Sequence, residues 1–201
     1  MFKIIDVEQG TDEWFTARLG LFTASNFSKV LSPTGKPSTQ VKDLINNLVA
    51  EKLTGEREET FKSSAMQRGN DLEGEALEFV NFSQGYNFEP VGFCDSENGY
   101  GCSPDALDQE KKIGLELKCP LAKTHVKYLR SGKLPNEYFS QVQGSMMVTG
   151  YDSWVFVSYH PLMKPFILVV ERDEDYINGL RELLIKNAVE VVKISNELAN
   201  G

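Results

Sequence analysis

A helix-rich opening, a run of short strands from Phe88 to Cys119, and a closing helix–strand–strand–helix series specify an α/β fold, a mixed central β-sheet flanked by α-helices. Apolar residues recur at helical spacing up to about Gly85, then at the spacing of strands. No internal repeat or low-complexity linker interrupts the chain. Residues 1–201 therefore read as one domain, long enough to bury a core without disulfide or metal staples.

Each element has a local cause. Thr11 or Asp12 is placed to cap a first helix that stops at Gly20, and Ser25 to cap a short second one. The stretch from Leu31 to Ser38, dense in Pro, Gly and Ser, is a loop between helical segments. A third helix is predicted from about Ser38 to Leu53. Val41, Leu44, Ile45, Leu48 and Val49 form its apolar face, and Gly55 lies past its end. A fourth begins near Ser63 or Ser64 and ends by Gly85. Short strands, broken by Gly and Asn, fill Phe88 to Leu107. Asp108 to Lys112 is a polar turn, Ile113 to Cys119 a strand, and the residues after Lys118 a linker. Pro135 opens another helix at its favoured first position and Gly150 closes it. Strands at Ser153–Tyr159 and Phe166–Glu171 flank the segment from His160 to Pro165, and a long helix runs from Asp173 to Ala199.

Composition narrows the chemistry. No apolar run approaches a membrane span, and Met1 to Asp6 lacks the h-region of a signal peptide, so a cytosolic protein is expected. Cys94, Cys102 and Cys119 are an odd, scattered set without C-x-x-C spacing. They read as small buried hydrophobes in strands. His125 and His160 have no metal-motif context and are expected on the surface or in loops. Carboxylates and lysine must therefore carry any chemistry. A net charge of −8 argues against a protein that coats DNA nonspecifically, but not against a nuclease whose carboxylates await metal ions.

The sharpest pattern is Pro104-Asp105 followed by Glu116-Leu117-Lys118. Residues two apart in a strand share a face, so Glu116 and Lys118 project together while Leu117 points to the core. If the turn between folds back, Asp105 lies beside Glu116. Two carboxylates and an ammonium then form one patch, and hard carboxylate oxygens suit Mg²⁺. Two such ions can activate water and stabilise the leaving oxygen of a phosphodiester. Lys118 would orient the water or neutralise charge on the phosphate. The plainer alternative is a hairpin with an exposed salt bridge.

Glu73 falls on the apolar stripe of Leu72, Ala76, Leu77 and Val80, where a carboxylate is costly unless paired or metal-bound. A metal ligand and a salt bridge to Arg68 are both open, whereas Glu75 and Glu78 read as solvated charges. Gly69, one turn earlier, leaves room for a partner. On the helix after Pro135, Gln141 and Ser145 are one turn apart and suited to line a polar groove, while Tyr138, Val142 and Met146 face the core. Trp14 and Arg18 share a helical face, and Ser25 caps the next helix. An arginine beside a helix N-terminus suits a phosphate. The alternative is a core tryptophan, a surface arginine and an ordinary cap.

These pieces resemble the phage lambda exonuclease family, the YqaJ-type viral recombinase nucleases of the PD-(D/E)xK superfamily. The resemblance runs from about Glu8 to Glu171. It rests on Gln9-Gly10 with Trp14 and Arg18, Thr23-Ala24-Ser25, Arg68-Gly69 with Glu73, Cys102-Ser103-Pro104-Asp105, and Gly114-Leu115-Glu116-Leu117-Lys118-Cys119-Pro120. Gln141-Val142-Gln143, Ser145-Met146 and Glu171-Arg172-Asp173-Glu174 complete it. The resemblance implies a restriction-endonuclease-like core and a 5′-to-3′ exonuclease acting at double-stranded DNA ends to leave 3′ overhangs. It implies two Mg²⁺ ions, replaceable by Mn²⁺, held by Glu73, Asp105, Glu116 and the Leu117 carbonyl. Lys118 would be the catalytic lysine, with Gln141 beside it. Arg18, Ser25 and Ser103 would hold the 5′-phosphate, and Met66 would be a wedge against the end base pair.

The family further implies a homotrimeric ring, a single-strand annealing protein as partner, and a phage or prophage gene expressed in a bacterial cytoplasm. Lys123, Lys127, Arg130 and Lys133 depart from its pattern and form a basic cluster suited to the DNA backbone, or simply a solvated loop face. Two rival functions share the site: an endonuclease on the same fold, which needs no 5′-phosphate pocket, and a non-catalytic DNA clamp or adaptor for the annealing protein.

Overall fold

The computed structural model describes residues 2–57 and 64–200. The chain begins with a short strand, β1 (Lys3–Ile5), and a one-turn helix, α1 (Asp12–Thr16), whose Thr11 side chain accepts from the Trp14 amide. After β2 (Phe22–Thr23) comes a 3-10 helix over Ala24–Lys29. Ser25 lies inside that helix and caps nothing, because Thr23 takes the cap position. Helix α2 (Val41–Thr54) ends at Gly55, whose φ of +70° lets the chain reverse without a Cβ clash. Helix α3 spans Ser64–Gln84.

The strands form two four-stranded sheets instead of one central sheet. The first has β3 (Phe93–Asp95) and β4 (Tyr100–Cys102) in the order β1-β3-β4-β2. The second has β5 (Ala106–Asp108), β6 (Ile113–Lys118), β7 (Ser153–Ser158) and β8 (Phe166–Glu171), side by side in that order. Both are mixed: β2 and β4 pair in parallel, as do β6 and β7. A bridge between Glu89 and Leu107 links the segment before β3 to β5.

A parallel pair needs a crossover. Between β6 and β7 it is supplied by α4 (Ala122–Ser131) and α5 (Asn136–Thr149). Helix α4 replaces the expected linker. Its start lacks a side-chain cap, so the usual sequence signal is missing. Its buried face is His125 and Tyr128, with Lys123, Lys127 and Arg130 exposed. His125 is therefore in the core, not at the surface. Its ring pairs with Ser158 Oγ (2.7 Å) and the Lys164 carbonyl (2.9 Å), tying α4 to the far end of β7. His160 lies in the loop after β7 but is also buried. Pro135 stands one residue earlier than expected, as the N-cap of α5.

Side-chain alternation divides the second sheet between two layers. Leu115, Leu117, Val155 and Val157 pack on Ala76 and Val80 of α3. Trp154 of β7 joins Val142 and Met146 of α5 in the larger core, which α2, the 3-10 helix and α6 (Glu174–Asn200) complete. Gly144 sets how closely α5 approaches the 3-10 helix, because a Cβ there would lie 2.1 Å from the Phe27 ring. The three cysteines are free and buried, Cys94 and Cys102 facing each other across β3 and β4. No helix among the described residues is long and apolar enough to cross a membrane.

Candidate active site

The site forms where β5 stops and β6 continues. The ladder between them runs from Asp108↔Ile113 to Ala106↔Leu115. The next residue, Asp105, gives its amide to the Leu115 carbonyl (3.2 Å) and turns its carboxylate back to accept from the Leu117 amide (2.5 Å). A side-chain oxygen thus extends the ladder by one bond and fixes Asp105 beside β6. In an antiparallel pair a residue's N–H and C=O project to the same edge, which directs the Leu117 carbonyl to the Asp105 side.

Glu116 and Lys118 project together on the α5 face, as strand period requires, while Leu117 is buried toward α3. Glu116 is only 1% exposed. A buried carboxylate needs partners, and it has two. Gln141 Nε2 of α5 donates to both of its oxygens (2.8 Å each), and Lys118 Nζ lies 2.5 Å from Oε1. Lys118 is also 3.6 Å from Asp105 Oδ2, and its ammonium sits 5.7 Å from the centre of the Tyr138 ring. Burial pushes the Glu116 carboxyl above the usual carboxylate range. Lys118 opposes that rise, while Asp105 and Glu73 add to it. Burial would lower the Lys118 ammonium, but Asp105 and Glu116 outweigh it and hold the group charged.

Glu73 does not lie on the buried stripe of α3. Ala76 and Val80 are buried while Glu73 is exposed, at the rim of a cavity of about 420 Å³ lined also by Gln9, Gly92, Asp105 and Leu117. Its pKa is nonetheless raised, by partial burial and then by the charge of Asp105. Arg68 forms no pair with it, and instead donates to the carbonyls of Cys119 (3.2 Å) and Pro120 (3.4 Å), bracing the chain just past Lys118. Glu75 is not a bystander charge, since it accepts from the Tyr159 hydroxyl (2.5 Å). Ser145 is buried and faces the interior instead of an open polar surface.

Asp105 adds to the rise at both Glu73 and Glu116, and three carboxylates around a single ammonium leave an excess of negative charge. The donors are hard oxygens, so the set fits a divalent cation such as Mg²⁺. As they stand, no three His, Cys, Asp or Glu side chains among the described residues converge closely enough to enclose one. The Lys118 ammonium stands between Asp105 and Glu116.

A second polar site lies at the N-terminal side. Arg18 stacks on the Trp14 ring (3.7 Å), and its Nε and Nη1 are buried with no hydrogen-bond partner among the described residues. Burial, and then the nearby Arg57, lower its pKa to about 10. Arg18, Arg57, Thr23, Ser25, Asn26 and Glu51 share a cavity of about 140 Å³. Ser103 is absent from its lining. It instead accepts from the Trp14 indole N–H (3.0 Å), which also reaches the Gly92 carbonyl (3.1 Å). Met66 lies outside the residues whose side chains are described. Arg57 was not foreseen, as a residue two past a helix-ending glycine carries no motif.

This arrangement has relatives. A model described as the YqaJ-like viral recombinase domain matches residues 13–152. The chain belongs to that family. Among solved structures, the YqaJ-family chain is similar to an alkaline exonuclease, LHK-Exo, from Laribacter hongkongensis. The TM-score is 0.84 at 31% identity, covering 94% of this chain and 97% of the other. The same enzyme in complex with dAMP gives a TM-score of 0.82 at 31% identity, with the same coverages. A phage-related exonuclease from Haemophilus somnus 129PT shares the fold, at TM-score 0.63 and 16% identity, covering 90% of this chain and 95% of that one. A curated Escherichia coli (strain K12) protein, ExoD, is 39% identical over 54 residues, 25% of this chain and 62% of that one.

Proposed function

We propose that this chain is a divalent-metal-dependent exonuclease. It removes nucleotides from the 5′ end of one strand of linear double-stranded DNA and leaves a 3′ single-stranded overhang for annealing recombination. The observation that carries the reading is the joining of Asp105, Glu116, Lys118 and Gln141 at the open edge of β6. Membership of the family and the likeness to LHK-Exo support nuclease activity.

Glu73, Asp105, Glu116 and the Leu117 carbonyl would hold two Mg²⁺ ions, with Mn²⁺ a substitute. When bound, such ions supply a water of lowered pKa and a counter-charge for the leaving oxygen. Lys118 orients the attacking water and neutralises charge on the scissile phosphate. Gln141 holds Glu116 in register with Lys118, so that the carboxylate keeps its direction during turnover. The Arg18 pocket binds the terminal 5′-phosphate. Its guanidinium has unmet donors, and Arg57, Thr23 and Ser25 line the same cavity. Ser103 supports that pocket through Trp14. Met66 would act as the wedge. The exposed Lys123, Lys127 and Arg130 of α4, with Lys133 beyond it, follow the DNA backbone. Assembly as a homotrimeric ring, partnership with a single-strand annealing protein, and work in a bacterial host cytoplasm complete the reading.

The test is nucleotide release from linear duplex DNA carrying one labelled 5′-phosphorylated end. Progressive release of mononucleotides with Mg²⁺, abolished by a chelator, is expected. Binding without release would point to a clamp or adaptor, and rapid cutting of closed circles to an endonuclease.

A further inference from the structure

Gln9 is exposed and lies outside every element of regular structure, yet both hydrogens of its amide are committed. Its Nε2 donates to the Val91 carbonyl and to the Pro104 carbonyl, each at 2.8 Å, across 82 and 95 residues of sequence. Pro104 immediately precedes Asp105. The peptide unit joining them is therefore held from both sides, its oxygen by Gln9 and its N–H by the Leu115 carbonyl (3.2 Å). That plane fixes the N and Cα of Asp105, leaving only rotation about the N–Cα bond to direct its Cα–Cβ bond. The Leu117 amide then holds the carboxylate itself. Gln9 also lines the cavity of about 420 Å³ that Glu73 and Asp105 share, so it stands at the site and not merely behind it.

We propose that Gln9 is a positioning residue for Asp105, setting the carboxylate's direction through the Pro104 carbonyl. This role rests on the reading of Asp105 as a metal-binding carboxylate. Proline contributes no N–H of its own, so the segment entering Asp105 has fewer backbone bonds to steady it than an ordinary strand. The glutamine supplies one of the missing restraints from a segment nearly a hundred residues away. Its second bond, to Val91, anchors the glutamine itself, so that its donor to Pro104 does not swing.

Gln9→Met tests this. It preserves length and removes both donors without adding charge, and Gln9→Ala serves as a second variant. Mn²⁺ binding to the DNA-free protein is measured by calorimetry. Turnover is measured on the 5′-labelled duplex, and thermal unfolding by circular dichroism. Expected are Mn²⁺ binding and kcat both weakened by about 10- to 100-fold, the range for losing a group that orients a ligand. KM for DNA and the melting temperature should stay near wild type. Either variant with wild-type Mn²⁺ affinity and kcat would overturn the role. So would a drop in melting temperature with kcat and KM altered together, which would mark Gln9 as a general tie between segments. If the wild-type protein neither binds Mn²⁺ nor releases nucleotides, the metal-nuclease reading fails first and this role with it.

Discussion

The two polar sites are built on opposite terms. At the end of β6 the side chains hold one another, although the carboxylates outnumber the Lys118 ammonium. Glu116 has Gln141 and Lys118, Asp105 has the Leu117 amide and Lys118, and all of these hang from strands or from α5. At the Arg18 pocket the balance is positive, with two arginines lining it against Glu51. A guanidinium rests on an indole with two buried nitrogens that have no partner among the described residues, beside a second arginine and Glu51, between α1, the 3-10 helix and α2. Burying a cation is costly, and burial and then Arg57 depress the pKa of Arg18, with Glu51 opposing them in part. The contrast separates a site preorganised for chemistry from one completed by its ligand. They are joined by Ser103-Pro104-Asp105, where Trp14 holds the first residue and the Asp105 carboxylate belongs to the other site. Two residues span at most about 7 Å, so the hydroxyl that Trp14 holds and the Asp105 carboxylate lie on one short segment.

If the β6 site is the preorganised one, the largest effect belongs there. Lys118→Ala should lower turnover by about 10²- to 10³-fold or more, the scale of losing one preorganised charge-stabilising donor. Binding to DNA ends, measured by fluorescence anisotropy, should change little. Wild-type turnover in this variant would dissolve the distinction between the sites. Next, if the Arg18 pocket is completed by an anion, 5′-hydroxyl ends should be degraded more slowly than 5′-phosphate ends. Arg18→Ala should erase the preference, which a charged hydrogen bond sets at about 10- to 100-fold. Equal rates on both ends with the native protein would remove the phosphate role. A smaller effect tests the link. Trp14→Phe keeps a ring under Arg18 but removes the donor to Ser103, and should cost about fivefold in kcat, the worth of one neutral hydrogen bond. No change would mean that the two sites act independently. The smallest effect concerns salt. Lys127→Glu on α4 should flatten the dependence of log affinity on log salt by about 1, with kcat at low salt unaltered. An unchanged slope would place α4 away from the DNA.

How far the site was legible depends on how local its causes are. Asp105, Glu116 and Lys118 could be read because strand period and a four-residue turn decide their faces, and both operate within a few residues. Glu73 was harder. Helical spacing places it near Ala76 and Val80, but only the packing of α3 on β6 decides that those two face the core while Glu73 faces the cavity. Helical spacing put Gln141 on a polar face but could not set it against Glu116, because that partner lies 25 residues away on another element. His125 and helix α4 were missed together, since a helix without a cap and with a basic outer face resembles a linker until Tyr128 and His125 are buried against β7 and β8.

The sequence by itself determined the mixed α/β class, most helix and strand positions, the face shared by Glu116 and Lys118, and the membership that its motifs express. Periodicity, caps and turn residues act over one or two turns of chain, and that range covers all of these. Tertiary structure alone decided the division into two sheets, the glutamine brace on the Pro104 carbonyl, the unpartnered Arg18 beside Arg57, and the diversion of Ser103 toward Trp14. Each joins groups tens of residues apart, and such contacts depend on how layers pack, which no short window of sequence contains.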